Sequence, residues 1–477
     1  MGQEVKGKSF TQADFDVFSK KVKEETSIIL KHFDKRNFVT PDVPLCGLEM
    51  EAWLINDDSL PNPIAETFLK KIDNPLIVPE ISQFNFEINT DPMLLQGKVF
   101  SNFHKNLKET FSNCRKVAKS LDSEAMFIGS LPTIRKYMLD LEYIYPNMRY
   151  YALNEQIISM RHKENMSVEI KGIEELEETF NSIMLECAAT SFQLHLQIDP
   201  LRGKEFYNAS LLASPFMASV SANSPFLFGK SLWSETRIAI FEQAVKLDSY
   251  KENRGKLANR VSFGSGYVKS CISEIYQENL NYSILLPECF EDDPQEMNHL
   301  NFHNGTIWRW NRPVIGLTSE GKPHLRIEHR VPSSGPSITD MVADMALFMG
   351  LSYYFANNHD HYVNNIPFDT VKRNFYESCK RGFEAGCKWD NRKHSIKSLL
   401  LNYLLPKAKE ELLKINIDQK DLDYYFDEVL TNRILTGQNG SNWQKTFISC
   451  HGARFQELVE TYSANQAKDL PVHTWLI

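Results

Sequence analysis

Residues 47–54 read GLEMEAWL, and their alternation decides the fold. In an extended chain Leu48, Met50, Ala52 and Leu54 take one side, while Gly47, Glu49, Glu51 and Trp53 take the other. The run continues outward to 45–55 and stops at NDDSLPNP (56–63), whose Asn, Asp and Pro favour turns. Three further stretches divide in the same way. Phe84, Phe86 and Ile88 oppose Asn85, Glu87 and Asn89. In SFQLHLQID (191–199), Phe192, Leu194, Leu196 and Ile198 oppose Gln193, His195, Gln197 and Asp199. In HLRIEHRV (324–331), Leu325, Ile327 and Val331 oppose Arg326, Glu328 and Arg330, with His329 the one polar residue on the apolar side.

One strand with a polar face simply meets water. Four strands whose polar faces hold three glutamates, a histidine and an Arg-Glu-Arg run ask for more, because solvent faces mix Lys, Thr, Ser and Gln. Placed in one sheet they gather carboxylates into a concavity, where mutual repulsion is costly unless cations offset it. Carboxylates with one imidazole suit magnesium or manganese, and no thiolate spacing supports zinc. Arginines on the adjoining strand would then hold nucleotide phosphates through bidentate, charge-assisted bonds.

Around these strands the pattern is helical. Phe15, Phe18, Val22, Ile29 and Phe33 recur at helical spacing, as do Phe100, Phe103, Leu107, Phe111, Cys114, Val117 and Leu121. AMFIG (125–129) predicts a short strand. Leu176, Phe180, Ile183, Met184 and Cys187 predict a helix leading into the His195 strand, and Pro406 an interruption in the helix around LLLNYLLPKAKEELL. Blocks of strand separated irregularly by helix predict an α+β fold with a curved, largely antiparallel sheet, its concave face charged and its apolar face packed on helices. The division expected is a catalytic unit over 1–350 and a helical C-terminal part over 351–477 packed on it. No GxGxxG or Walker loop opens a helix, so Rossmann and P-loop sites are not supported.

Hydrophobic residues make up 42% of the 477 and charged residues 24%, the composition of a soluble globular protein. A net charge of -8 with no Lys/Arg run excludes nucleic acid and acidic membrane surfaces as partners. The start MGQEVKGKSF has no apolar core, Lys6 stands where a myristoylation signal needs Ser or Thr, and no stretch of about 18 apolar residues occurs. Eight scattered cysteines without a CxxC pair fit reduced thiols, so the expected location is the cytoplasm. Oligomeric state stays open.

Several patches, in order, resemble glutamate-cysteine ligase family 2 and its carboxylate-amine ligase relatives, whose fold is glutamine synthetase-like. GLEMEAWL resembles the family's G-x-E-x-E strand, which implies Glu49 and Glu51 as metal ligands. PEISQFNFEINT (79–90) resembles the next metal strand and implies Glu80 and Glu87; their separation of seven would put them on opposite faces, so a bulge or turn is expected between them. SFQLHLQID resembles the strand with a metal-binding histidine, here His195, although many relatives carry a second histidine where this chain has Gln193 or Gln197. LRIEHRVPSSGPSITD (325–340) implies Glu328 as a ligand and Arg330 as the arginine on the transferred phosphoryl. SANSPFLFGKSLWSETRIAIF (221–241) implies a substrate-facing Arg237, and GSLPTIRKYM with MRYYAL implies Arg149 and Tyr150 for substrate.

The patches cover roughly residues 45–345, with a looser match at TGQNGSNWQ (436–444). Arg326, with Arg309 and Arg312 of WRWNRP (308–313), is expected to reach the nucleotide. The resemblance implies an ATP- and magnesium-dependent ligase, manganese being an alternative ion, that activates a glutamate-type carboxylate as an acyl phosphate for attack by a small amine. Glu328 and Arg330 would carry the chemistry. Phosphotransfer on the same fold and a non-catalytic metal- and nucleotide-binding regulator are the alternatives. His359 and His361 read as surface polar residues rather than metal ligands.

Overall fold

All four alternating stretches become strands of one sheet. In the computed structural model, which describes residues 5, 7, 9–247, 259–390 and 392–477, the elements that matter follow in chain order. They are α1 (Gln12–Lys35), β1 (Leu45–Ile55), β2 (Ile77–Pro79), β3 (Asn85–Asn89), β4 (Met93–Leu94), α2 (Val99–Lys119), β5 (Glu124–Met126), α3 (Met148–Met160), β6 (Met166–Lys171), β7 (Glu175–Phe180), β8 (Phe192–Ile198), α4 (Gly203–Val220), α5 (Asn298–Asn304), β9 (Asn311–Leu317), β10 (Pro323–His329) and α6 (Ile338–Asn357). The eight-stranded sheet runs β9-β10-β8-β1-β3-β2, with β4 and β5 also paired to β1. Every pairing in it is antiparallel. The Met1-Gly2 start and Lys6 lie outside the described residues.

The apolar side of the sheet does what the alternation requires. Leu48, Met50, Ala52 and Leu54 of β1, Phe86 and Ile88 of β3, and Leu194 and Leu196 of β8 enter one large core with residues of α2, α4 and α6. His329 sits there too, fully buried and stacked on Phe348 of α6 with ring centroids 4.1 Å apart. Its Nδ1 pairs with Asn311 Oδ1 at 2.7 Å, and burial, then the charge of Arg237, holds the ring well below the ordinary histidine range. It is a neutral core histidine.

The polar side is not wholly solvated. Trp53 and Phe84 stack at 5.7 Å and belong to a second core with Ile55, Met126, Ile128 and the hairpin β6–β7. Phe84 leaves the face its parity predicts because residues 83–84 form a turn before β3 begins. That second core roofs one end of the charged face and confines the site to the other.

Two local expectations are corrected. The helix expected over Leu176–Cys187 is instead strand β7 followed by a 3-10 turn, Ile183–Ala188. The spacing of Leu176 and Phe180 mimics one helical turn, but β6 alternates, and its Ile170 and Met166 sit directly opposite them. Pro406 does not break its helix: a π-helical turn, Leu400–Leu404, runs directly into helix Leu405–Lys414 with helical backbone at Leu404 and Leu405, so the irregularity is a widened turn ahead of the proline. A further hairpin, Gly386–Trp389 with Arg392–Ser395, interrupts the helical C-terminal half. Helix α6 runs through residue 350. All eight cysteines are free thiols, and among the described residues no helix is long and apolar enough to cross a membrane.

Trp53 joins the two sides: fully buried, it donates Nε1–H to Ile128 O at 2.9 Å and to Thr190 Oγ1 at 3.2 Å. Trp53→Ala is expected to cost ~3–5 kcal/mol through the cavity it leaves, read as a lowered urea midpoint.

Candidate active site

Register builds the site. Glu51 of β1 lies directly opposite Glu87 of β3, and Glu49 opposite Gln193 of β8. His195 of β8 faces Gly47 on one side and Glu328 of β10 on the other. Directly opposed residues share a face, so four strands deliver their charged side chains to one surface. Glu80 arrives from outside the strands. It follows the last residue of β2, and the turn at 83–84 absorbs the odd separation, so that Glu80 and Glu87 meet. The Tyr150 hydroxyl donates to Pro79 O at 2.9 Å and braces that segment.

The carboxylates form two trios. Glu49, His195 and Glu328 offer three ligand atoms within 4.8 Å of one another, and so do Glu51, Glu80 and Glu87. His195 Nε2 lies 3.0 Å from Glu49 Oε1, yet the two are off the line of a hydrogen bond and Nε2 is left buried with no hydrogen-bond partner. Ligand atoms about 3 Å apart are what an octahedral ion with ~2.1 Å bonds requires of neighbouring ligands. An all-oxygen trio beside an oxygen–imidazole trio fits hard divalent cations.

Electrostatics separates the trios. Burial raises the Glu328 carboxyl, but Arg312 and Arg330 outweigh it and hold the group far below the usual range. Arg312 grips both Glu328 oxygens, at 2.6 and 2.8 Å, and Arg330 Nη1 stands 3.4 Å away. Burial also works against ionised Glu49, and His195 beside it brings the net shift down. In the other trio burial wins: Glu51 is raised against the opposing bonds from Ser191, Glu80 is raised well above the usual value with Glu51 and Glu87 adding to burial, and Glu87 reaches about 8.

Arg330 donates to Gln193 Oε1, while its Nε is buried without a partner. Arg326 Nε lies 3.4 Å from His195 Nδ1, and the Arg149 guanidinium is 4.9 Å from the centre of the Phe302 ring. Arg149, Tyr150, Arg312, Arg326 and Arg330 all line a cleft of about 660 Å³ together with Glu49, Glu51, Glu80, Glu87 and Glu328. Two arginines expected there are elsewhere. Arg309 is buried, bonded to Asn279 at 2.6 Å and Glu278 at 2.7 Å, and its guanidinium lies 5.3 Å from the Tyr282 ring centre. Alternation along WRWNRP sends Arg309 away from the side that Arg312 takes. Arg237 is buried as well, held by Glu235 at 3.0 Å and donating to the carbonyls of Arg330 and Val331. It braces the end of β10 rather than lining the cleft.

Sequence reasoning missed Glu186, which lines the cleft from the 3-10 turn and is raised to about 8 by burial and then Glu51. Its one signal is a lone acid in the apolar run IMLECAA. It also missed the wall opposite the carboxylates, where Asn298, Asn301, Phe302 and Asn304 of α5 join Trp308 and Phe241.

Comparison with known proteins agrees with this geometry. The profile described as glutamate-cysteine ligase family 2 matches residues 45–395. The fold is similar to the glutamate–cysteine ligase of Francisella tularensis in complex with AMP, at 11% identity and TM-score 0.50, over 90% of each chain. It is also similar to the bifunctional glutathione synthetase of Pasteurella multocida, at 12% identity and TM-score 0.50, over 92% of this chain but 55% of that one. No curated protein matches the sequence. At such identities the structural likenesses speak for the fold.

A carboxyl group raised to about 8 binds a proton in the folded chain that the unfolded chain has already released. The stability it contributes is present at low pH and lost as pH rises through about 8. With Glu87 and Glu186 in that state, the cation-free protein is expected to melt several degrees lower at about pH 9 than at about pH 7. Magnesium should reverse the loss, because a cation takes the place of those protons. Melting curves in chelator and in excess magnesium check this, and identical curves at the higher pH would remove the cation sites.

Proposed function

The chain belongs to glutamate-cysteine ligase family 2, and on that premise we propose that it joins a glutamate-type carboxylate to the amino group of a small molecule, cysteine being the default acceptor. The class is ATP-dependent amide-bond formation. In the reaction proposed, a donor carboxylate oxygen bonds to the terminal phosphorus of ATP and ADP leaves. The amine nitrogen then bonds to the acyl carbon, phosphate departs with its oxygen, and the nitrogen loses a proton.

The observation that carries this reading is the meeting of two ligand trios with a row of arginines on one cleft wall. Glu49, His195 and Glu328 would hold one magnesium ion, or manganese, and Glu51, Glu80 and Glu87 another. When bound, such ions offset the charge of the phosphates. Glu328 keeps ligand capacity although Arg312 grips it, since a carboxylate offers about four lone-pair sites.

Arg330 is the residue we assign to the phosphoryl group in flight, its unpartnered Nε supporting that role. A donor preorganised in a water-poor site acts most strongly where charge develops. Arg312 and Arg326 take the other phosphates, Arg149 the donor's carboxylate end, and Tyr150 holds the strand end that carries Glu80. Glu186, on the same wall as the second trio, is placed to receive the ammonium of the acceptor. Arg309 and Arg237 are given no substrate contact, for the reasons above.

Phosphate release from ATP with glutamate, screened over a panel of amines, tests the reading. It fails if no pair exceeds the ATP-only rate, and a stable phosphorylated product made without any amine would favour phosphotransfer. Glu328→Gln is expected to lower kcat by about a hundredfold or more in a protein that still folds, though it melts earlier because Arg312 and Arg330 lose a buried partner charge; unaltered turnover would remove Glu328 from the reaction.

A further inference from the structure

The buried stripe of α1 is Phe18, Val22, Glu25, Thr26 and Ile29, so a carboxylate stands where the helical spacing asks for an apolar side chain. Glu25 is 1% exposed. A buried carboxyl group is costly unless its oxygens are hydrogen-bonded, and both oxygens of Glu25 are. One oxygen meets His299 Nδ1 at 2.5 Å and the other accepts the Leu300 N–H at 2.7 Å.

His299 and Leu300 open α5, so Glu25 satisfies from another helix an N–H that α5 cannot satisfy within itself. The opposite ring nitrogen of His299 accepts the Phe290 N–H at 3.0 Å, which leaves the Nδ1 proton facing Glu25. Phe302, one turn on, packs edge-on against Phe18 of α1 at 6.2 Å.

The same helix lines the cleft along its length. Asn298, Asn301, Phe302 and Asn304 line it, the Asn304 carbonyl lies 3.4 Å from Arg312 Nη1, and the Asn304 amide donates to Pro313 O at 3.0 Å. A continuous set of contacts therefore runs from Glu25 through His299 and α5 to Arg312 and Glu328. It begins on a helix outside residues 45–395, the span of the family match.

We propose that Glu25 and His299 are a positioning pair through which the N-terminal helix sets the affinity of the cleft for ATP. The proposal rests on the reading above in one respect, that Arg312 faces the phosphates. Neither residue touches substrate. Their effect is to hold the α5 wall, and with it Arg312, at one distance from the sheet.

The test compares three variants of the full chain. Glu25→Ala strips Leu300 N–H and His299 of their partner and is expected to raise the KM for ATP, and the Kd for magnesium-ATP read by calorimetric titration, about tenfold, with kcat within about twofold. Glu25→Gln keeps an acceptor for Leu300 N–H but turns an NH2 toward the Nδ1 proton of His299, and should recover only part of that affinity. Val22→Ala removes packing from the same buried stripe without touching the pair, and should lower the melting temperature while leaving KM and Kd unchanged. Hydrogen exchange over residues 298–304 should quicken in Glu25→Ala and not in Val22→Ala. Equal shifts of affinity in Glu25→Ala and Val22→Ala, or equal exchange over 298–304 in the two, would overturn the pair's role. Wild-type protein that binds magnesium-ATP and turns nothing over would count against the ligase reading alone, since affinity and exchange still judge the pair.

Discussion

Like charges held on one partly buried surface govern this molecule. Six glutamates and four arginines line a single cleft, and carboxylates so close are tolerable only if their positions are enforced and their charge is answered. Enforcement comes from the strand register, which puts Glu51 against Glu87 and His195 against Glu328 and leaves neither pair room to drift. The answer to the charge is uneven. Arg312 and Arg330 neutralise Glu328, whereas among the described residues no arginine is bonded to the Glu51 trio, and burial pushes its members toward their protonated forms. That imbalance is what the proposed cation would answer.

Behind the charged face, two cores do different work. The larger one, between the sheet and α2, α4 and α6, holds the apolar face of the curved sheet against those helices. The smaller one, with Trp53 and Phe84 at its edge, closes over part of the polar face and leaves only the portion with the ligand trios reachable. A polar hub joins them. Glu235 accepts from Arg237, Ser333 and the Asn223 backbone, and Asn223 in turn accepts from Gln444 and donates to Ser334 O and Tyr462. Through this hub the C-terminal helices reach the end of β10, where Arg330 stands.

Alternation made most of this legible in advance. Period-two patterning is a direct consequence of strand geometry, so the charged side chains of β1, β3, β8 and β10 declared a common face before any contact was known. What stayed hidden obeys longer-range rules. Glu186 lies on an irregular turn with no periodicity, and the α5 wall is mostly asparagine, whose role depends on what it faces. Leu176 and Phe180 fit a helix as well as a strand until β6 supplies a partner. Arg237 lay in a patch that matches the family, but a matched arginine is compatible with either contacting a ligand or bracing the strand that does, and its bonds to two backbone carbonyls decide for the second.

Gln193 illustrates how a small change in such a surface alters behaviour. Its side-chain oxygen accepts from Arg330, at a place on the strand where an imidazole would behave differently. An imidazole loses its acceptor nitrogen on protonation, but an amide keeps its carbonyl oxygen throughout the range in which imidazoles and carboxylates titrate. The contact that orients Arg330 is therefore insulated from acidification, whatever else in the cleft takes up protons.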